Sequence, residues 1–186
     1  MSTLMRAARM RTRPAVAADA EAVALLHAES WRVAYRGMLR DDYLDREIYR
    51  ERQALWEERF AAPAPNQHVI VAEVGETVAG FACVYGAHDA RWGSFLDNLH
   101  VGSEHKRHGI GSALMREVAQ WSLKSWPQIG LYLWVLESNT PAIRFYESQG
   151  GRLAGQGQWE PPDGGEYCKL RYAWDDVRTL LQSTPR

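Results

Sequence analysis

Apolar residues in the first third of the chain recur at helical spacing after one short extended segment. That segment, Met10–Arg13, is a predicted strand, and the proline that follows ends it. Asp19 then opens a predicted amphipathic helix. Its apolar side carries Val23, Leu25 and Leu26. Two more helical stretches are predicted, one through Trp31 and Tyr35 to Gly37 and one over Asp45–Phe60.

The middle of the chain changes to the two-residue alternation of β-strands. Strands are predicted over His68–Val74, Thr77–Tyr85 and Ser94–Val101. The tight connection Gly75-Glu76 should join the first two strands into an antiparallel hairpin. The elements predicted after them are a helix over Gly109–Lys124, a buried strand over Ile129–Leu136, a helix over Asn139–Gln149 and a last strand over Glu166–Trp174.

This order of elements predicts one α/β domain with a mixed sheet. The strand–helix–strand part, from Ser94 to Leu136, should be parallel with a right-handed crossover. A length of 186 residues is that of a single domain with a sizeable core. We expect the domain to span residues 10–181, between a disordered arginine-containing leader at residues 1–9 and a tail at residues 182–186.

Composition narrows the function only by exclusion. The formal net charge of −1 gives no general attraction to nucleic acid or to an anionic membrane. No apolar run approaches the roughly 20 residues needed to span a bilayer. Cys83 and Cys168 lie far apart in apolar segments, which indicates two buried thiols in a reducing compartment. We therefore expect a cytoplasmic protein that binds neither nucleic acid nor a membrane.

The candidate chemistry is concentrated in a glycine-containing turn. A strand ends at Val101, and Lys106-Arg107-His108-Gly109-Ile110-Gly111 then leads into a helix. The first turn of a helix leaves backbone N–H groups unpaired and carries the positive end of the helix dipole. Glycines let a phosphate approach those N–H groups, and the basic residues add positive charge. The turn therefore indicates a pyrophosphate-binding site.

Two common nucleotide-binding motifs do not fit this turn. A dinucleotide-binding motif needs a third glycine, but Leu114 stands there. A phosphate loop of the nucleotide-triphosphatase type needs Gly-Lys-Ser/Thr, which the turn lacks. The turn does resemble the Arg/Gln-x-x-Gly-x-Gly/Ala loop of the GNAT superfamily of acetyl-CoA-dependent N-acetyltransferases, which follows a strand ending like Leu99-His100-Val101. Lys106 departs from the family pattern but keeps the charge.

A second motif strengthens the resemblance. Family members carry a helix of the pattern Asn-x-x-Ala-x-x-Phe/Leu-Tyr-Glu-x-x-Gly, and here it reads Asn139-Thr140-Pro141-Ala142-Ile143-Arg144-Phe145-Tyr146-Glu147-Ser148-Gln149-Gly150. Asparagine is a good N-cap, and proline is tolerated in the first turn. The resemblance covers roughly residues 10–174. It implies a mixed, mostly antiparallel sheet with helices on both faces and a parallel strand–helix–strand unit that binds acetyl-CoA.

The resemblance also implies roles for individual residues. Tyr146 would be the general acid that protonates the coenzyme A sulfur, and a backbone N–H near Val101 would polarise the acetyl carbonyl. Ala142 is small enough for the pantetheine arm to pass. The implied cofactor-binding residues are Leu99, His100, Val101, Lys106, Arg107, His108, Gly109, Ile110, Gly111, Ser112, Asn139, Ala142 and Tyr146.

The motifs leave the general base open. The two positions at which family members carry a carboxylate are occupied here by Phe95 and Trp134. Asp97 is the leading substitute, because strand alternation would put it on the face of Leu99 and Val101. Weaker candidates, which alternation places on the opposite faces of their strands, are Glu137 and His100. A chain of waters would also suffice.

The acceptor site would lie between the first two helices and the last strands, as the resemblance implies. Its candidate substrate-binding residues are Trp31, Tyr35 and Trp134. An aromatic cleft suits a small amine or a peptide N-terminus better than an aminoglycoside. Three functions stay open: acetylation of a small-molecule amine, acetylation of a peptide or protein at its N-terminus or a lysine, and a coenzyme A-binding module with little catalysis.

Two further expectations concern metals and assembly. The histidines around the turn lie on a strand and a polar loop without an established ligand geometry, so we expect no metal. Exposed strand edges near the C-terminus make a homodimer plausible in this family.

Overall fold

The computed structural model describes residues 9–182, which form a seven-stranded sheet with helices on both faces. The strands are β1 (Met10–Pro14), β2 (Gln67–Val74), β3 (Thr77–Asp89), β4 (Gly93–Val101), β5 (Leu131–Leu136), β6 (Arg152–Trp159) and β7 (Tyr167–Trp174). The helices are α1 (Ala20–Ala34), α2 (Asp41–Arg46), α3 (Ile48–Ala61), α4 (Ile110–Ser125), α5 (Thr140–Ser148) and α6 (Thr179–Gln182).

The sheet order is β1-β2-β3-β4-β5-β7-β6. The predicted hairpin of β2 and β3 is antiparallel, and β4 and β5 are parallel, as expected for strands joined through a helix. All other neighbouring strands among residues 9–182 run antiparallel. The predicted mixed, mostly antiparallel sheet is therefore confirmed.

Strand β6 is missing from the sequence prediction. It is an edge strand, paired only with β7, and most of its residues are exposed. Gly155 and Gly157 interrupt its pattern of side chains. An edge strand whose two faces both contact solvent also shows little alternation of apolar and polar residues. The sequence signal for β6 is weak for this reason.

The prediction of two separate helices before Gly37 is wrong. One helix, α1, runs continuously to Ala34, because no glycine or proline interrupts it, and Trp31 lies in its last turns. Leu25 is not on the apolar side, since 49% of its surface is exposed. Successive helical positions point in different directions, so only its neighbour Leu26 faces the sheet.

Three smaller predictions concern the ends of the chain, the two cysteines and membrane-spanning helices. Residues 1–8 of the predicted leader and 183–186 of the predicted tail lie outside the described residues, and α6 ends at Gln182. Cys83 is buried, but Cys168 is partly exposed, which corrects the prediction of two buried thiols. Within residues 9–182, no helix has the length and apolar character to cross a membrane.

Each face of the sheet has its own core. Helix α4 packs on one face through Leu114 and Val118, together with Leu133 of β5 and Tyr146 of α5. Helices α1 and α3 pack on the other face, where Val23, Trp56 and Phe81 meet. A third cluster continues along that second face and joins Trp31, Tyr43 and Leu136. The two faces are therefore available for different tasks.

A buried histidine links α1 and α3 to the sheet. The indole Nε1 of Trp56 donates a hydrogen bond to Nδ1 of His27, at 2.9 Å. The His27 ring is wholly buried and contacts the rings of Trp31, Phe81 and His100. Burial, with smaller contributions from nearby cations, lowers the pKa of His27 well below 6.5. The imidazole is therefore neutral in the folded protein.

The neutral state of His27 should make the fold sensitive to acid. The unfolded chain binds a proton at His27 below about pH 6.5 and the folded chain does not, so stability falls as the pH drops below that value. His27→Gln keeps a hydrogen-bond acceptor and removes the titration. We expect the variant to lose less unfolding free energy than wild type between about pH 8 and about pH 5, by up to about 1.4 kcal/mol per pH unit. Chemical denaturation at the two pH values measures this, and identical pH dependence of both proteins would contradict it.

Candidate functional site

The site begins where the parallel strands separate. β4 and β5 pair at two positions, Ser94 with Leu131 and Phe95 with Tyr132. Beyond Phe95 the two strands share no further backbone pairing within the described chain, and a cleft of about 1100 Å³ opens between them. Backbone groups along the open edge of β4 have no strand partner there. They are available to a ligand that lies in the cleft.

The predicted glycine turn forms one end of this cleft. Arg107 and Gly109 both adopt the left-handed region, with φ of 64° and 78°. The first backbone hydrogen bond of α4 runs from Ala113 N–H to the Gly109 carbonyl, at 3.0 Å. The N–H groups of the residues between them, 110–112, therefore have no backbone acceptor, as at any helix start. Such free N–H groups form an anion-binding concavity.

The two glycines of the turn serve different purposes. Gly109 has open space where a Cβ would lie, so its role is to permit the positive φ. At Gly111 a Cβ would lie 3.0 Å from Cζ of Phe145, so its role is to let α4 and α5 approach closely. That the two glycines let a phosphate approach stays a prediction, to which the structure adds a backbone requirement at Gly109 and a packing requirement at Gly111.

Helix α5 carries the candidate acid to the opposite wall. Asn139 caps the helix, and its Oδ1 accepts a hydrogen bond from Ala142 N–H at 3.3 Å. Tyr146 is 9% exposed, and its ring packs edge-on against Phe145 and Trp174. Burial, and then the neighbouring Tyr35, raise the pKa of Tyr146 above 10. The phenol is therefore a neutral proton donor at physiological pH.

Tyr35 reaches the same place from α1. It follows the last residue of the helix and lines the cleft, as predicted for an acceptor-side residue. Burial raises the pKa of Tyr35 to about 12, against a smaller opposing effect of a hydrogen bond with the Asn139 side chain. Two neutral phenols thus line the same cleft, and Tyr35 is near enough to affect the pKa of Tyr146. The sequence does not predict that Tyr35 and Tyr146 lie in one cleft, because the two residues are far apart in the chain and come together only in the folded protein.

Asp97 does not lie on the predicted face of β4. Cys83 pairs with Asn98 and Val84 pairs with Leu96, so Asp97 is an extra residue in a β-bulge. The bulge reverses the alternation, and Asp97 turns toward α3. There its Oδ2 lies 2.8 Å from Nη1 of Arg59.

Although it turns toward α3, Asp97 still lines the cleft. The expectation that it shares the face of Leu99 and Val101 is wrong, because alternation holds only in a strand without a bulge.

His100 lines the cleft from the same face as Asp97. Its Nδ1 and the Ser30 hydroxyl are linked by a hydrogen bond of 2.9 Å, and its ring lies 4.6 Å from that of His27. Burial, and then nearby cations led by Arg52, lower the pKa of His100 to about 3. The imidazole is therefore neutral and can accept a hydrogen bond. The alternation argument placed His100 on the face opposite to Leu99 correctly, but that face also borders the cleft.

The two predicted tryptophans have different surroundings. Trp134 lines the cleft between β4 and β5. Trp31 is 7% exposed, contacts the rings of His27 and Trp159, and does not line the cleft. Trp31 therefore packs in the interior and does not occupy the substrate-binding position that the sequence predicted. Glu137, a weaker candidate base, is exposed after the end of β5.

The structure gathers most of the predicted cofactor-binding residues around one cleft. Those that line it are Leu99, His100, Val101, Lys106, Arg107, Gly109, Ile110, Gly111, Ser112, Asn139, Ala142 and Tyr146. His108 is exposed and does not line it.

Residues that the sequence reasoning missed also line the cleft, among them Ser30, Ala34, His105, Phe145 and Gln149. Ser30 and Ala34 are four apart on α1, and that helical spacing is the signal that could have identified them.

Within residues 9–182, no three side chains of His, Cys, Asp or Glu come close enough together to hold an ion.

Known proteins of one family resemble this chain in sequence. The family model described as Acetyltransferase (GNAT) family matches residues 28–151. The chain is 27% identical over 165 residues to the "Uncharacterized N-acetyltransferase YuaI" of Bacillus subtilis, covering 87% of this chain and 91% of that protein. It is 30% identical over 120 residues to the L-amino acid N-acetyltransferase AaaT of Escherichia coli, covering 63% of this chain and 73% of the relative.

A solved structure shows the same fold. The PaiA N-acetyltransferase of Thermoplasma acidophilum, determined in complex with coenzyme A, superposes with a TM-score of 0.71 at 16% identity. The match covers 89% of this chain and 99% of that structure.

Proposed function

The chain belongs to the GNAT family of acetyltransferases, and on that basis we propose that it transfers the acetyl group of acetyl-CoA to a primary amine of a small molecule. One observation carries the proposal. A helix start with free N–H groups and a buried, neutral tyrosine line the same cleft, at the point where β4 and β5 separate. The coenzyme A complex of the Thermoplasma protein with this fold supports the choice of cofactor.

The residues present fit acetyl-CoA. The turn residues 109–112 would bind the pyrophosphate through backbone N–H groups, with Lys106 and Arg107 on the exposed rim adding positive charge. The open edge of β4 near Val101 would lie along the pantetheine arm, opposite Ala142. The thioester supplies an activated acetyl group at the sulfur, near Tyr146.

Direct transfer requires three contributions from the protein. The amine nitrogen bonds to the acetyl carbon while the carbon–sulfur bond breaks, the amine loses a proton and the departing sulfur gains one. A backbone N–H of β4 would donate to the carbonyl oxygen as negative charge builds there. Tyr146 would donate its phenol proton to the sulfur. A base on the acceptor side would take the proton from the amine.

Asp97 remains our proposed base. An amine with a lysine-like pKa is mostly protonated at neutral pH, so a carboxylate at the cleft assists its deprotonation. The ion pair with Arg59 fixes the position of the Asp97 carboxylate. His100, hydrogen-bonded to Ser30, is the second candidate on the same face. Both lie across β4 from the helix that begins at Ile110, so the amine would arrive from the side of α1 and α3.

Two acceptor classes follow from the comparisons and the cleft. The amino-acid substrate in the name of the Escherichia coli relative favours a small molecule. Acetylation of a peptide or protein at its N-terminus or a lysine is the second candidate, because residues of α1 and β5 line a cleft of about 1100 Å³. A panel of amines in a thiol-release assay with acetyl-CoA separates them. Binding of acetyl-CoA without thiol release for any acceptor would instead favour a binding module.

Replacement of Gly109 tests the cofactor turn. Gly109→Ala forces a residue with a Cβ into φ of 78°, and Gly164→Ala does the same at φ of 80° in the loop between β6 and β7, also with open space around it. Both variants should lose a similar amount of stability, on the order of 1 kcal/mol. Only Gly109→Ala should also weaken acetyl-CoA binding, measured by calorimetry. Equal cofactor affinity of the two variants would contradict the proposed pyrophosphate site.

Removal of one hydroxyl tests the acid. Tyr146→Phe should lower kcat by about 100-fold or more while acetyl-CoA affinity is retained, because the phenol acts only as the carbon–sulfur bond breaks. Since the pKa of Tyr146 lies above 10, wild-type activity should show no loss from its ionisation below that pH. Tyr35→Phe is the matched control and should have a smaller effect on kcat. A larger loss in Tyr35→Phe would transfer the acid role to Tyr35.

Two variants separate the candidate bases. Asp97→Asn and His100→Gln each remove one proton acceptor with little change in size. We expect Asp97→Asn to lower kcat/KM by about 100-fold and His100→Gln to lower it less. If kcat/KM and its pH profile survive Asp97→Asn unchanged, then Asp97 is not the base.

A further inference from the structure

Two adjacent cations, Lys169 and Arg171, lie against Trp134, which itself lines the cleft. Lys169 and Arg171 alternate along β7, so both side chains lie on one face of the strand. Arg171 is the register partner of Trp134 on β5, and Lys169 is that of Leu136. Paired residues share a sheet face, so the two cations lie on the face of the cleft-lining Trp134.

Both cations contact the Trp134 ring. Nζ of Lys169 lies 4.6 Å and Cζ of Arg171 4.3 Å from the centroid of that ring. The Arg171 guanidinium also lies 4.6 Å from the ring centroid of Trp92, in the connection between β3 and β4. These contacts hold the cations in place, but an aromatic face does not neutralise a charge.

Several other partly buried cations are paired with carboxylates, and in the described part of the chain Lys169 and Arg171 are not among them. Arg13, Arg32, Arg52 and Arg59 each lie within 4 Å of a carboxylate. Within residues 9–182, neither Lys169 nor Arg171 has such a partner. Nε of Arg171 is buried and has no hydrogen-bond acceptor in this part of the chain, as is also true of Nε of Arg32 and Arg52, but Arg171 alone of the three lacks a carboxylate within 4 Å among residues 9–182. A buried N–H without an acceptor costs stability unless a ligand supplies one.

The charge of Arg171 acts on neighbouring titratable groups. Burial, and then repulsion from Arg171, lower the pKa of Lys169. Arg171 also contributes to the lowered pKa of Asp89, at the end of β3, after two backbone hydrogen bonds. Asp89 does not come within ion-pair distance of Arg171. Trp134 therefore has two positive charges beside its ring, next to the cleft that it lines.

We propose that the acceptor amine also carries a carboxylate, as a free amino acid does, and that Arg171 and Lys169 bind it. The proposal rests on the acetyl-transfer function above. A guanidinium matches a carboxylate with two parallel hydrogen bonds, and the ammonium adds a second positive charge. Trp134 offers an apolar surface to the rest of the acceptor. The N-terminal residue of a peptide has no free carboxylate beside its amine. Arg171 and Lys169 would therefore favour a free amino acid over a peptide.

Substrate pairs test the carboxylate directly. L-phenylalanine, L-phenylalaninamide and 2-phenylethylamine present the same ring and a primary amine, and only the first has a carboxylate. The same series can be made for other side chains. We expect kcat/KM for the acid to exceed that for its amide and its decarboxylated amine by about 10-fold or more. Equal or better use of the amide or amine would overturn the proposal and leave acetyl transfer intact.

Charge-removing variants locate the contact. Arg171→Gln and Lys169→Gln should each raise KM for the acid by about 10- to 100-fold and leave KM for the amide nearly unchanged. Arg171→Lys should recover part of the loss. Lys124→Gln, at an exposed position in the last turn of α4, is the matched control and should change neither. Equal effects of Arg171→Gln on acid and amide would indicate a structural role and overturn the assignment.

An equilibrium measurement keeps the two proposals distinguishable. If no acceptor releases thiol, acetyl transfer fails as the function, and the carboxylate site is then judged by calorimetric binding of the acid and the amide. Tighter binding of the acid, lost in Arg171→Gln, supports the site independently of turnover. Equal affinity for acid and amide overturns it.

Discussion

The divergence of β4 from β5 is the constraint on which the rest of the molecule depends. Two residue pairs hold the strands together at one end, and the sheet then opens where it would otherwise continue. An opening in the middle of a sheet leaves backbone groups without strand partners, which is costly unless something else occupies the gap. In this protein the gap is a cleft with a helix start at one end and a tyrosine on its wall. A ligand with an extended polar arm would satisfy those backbone groups.

The opening also gives the two faces of the sheet different tasks. Helices α4 and α5 cover one face, and their close approach depends on the absence of a side chain at Gly111. They bring the free N–H groups and Tyr146 together. The other face belongs to α1, α3 and the last strands, and it carries Asp97, His100 and Trp134 toward the same gap. A reaction between a cofactor on one side and an acceptor on the other suits this division.

The cations of the protein differ in burial and in whether a carboxylate lies beside them. Most partly buried arginines are compensated by carboxylates and serve the fold, such as Arg13 with Asp19 and Glu73. The basic rim of the turn is exposed to solvent, where an unpaired charge costs little. Lys169 and Arg171 differ from both groups, because they are partly buried and have no carboxylate within 4 Å among residues 9–182. Neutral His27 and His100 avoid a further charge close to the cleft, since burial disfavours their protonation.

The local parts of this account can be read from the sequence. The turn around Gly109, the capped helix that carries Tyr146 and the order of the elements other than β6 depend on residues close together in the chain, and local patterns report them. The rest depends on contacts between distant segments. The bulge that turns Asp97 toward Arg59 arises from the register of β4 against β3, and the meeting of Tyr35 with Asn139 requires the packed fold. The burial of Trp31 and the cation pair beside Trp134 likewise follow from which strand lies next to which. Side-chain periodicity identifies an element and its apolar face, but only tertiary structure decides register, and register decides which side chains meet in the cleft.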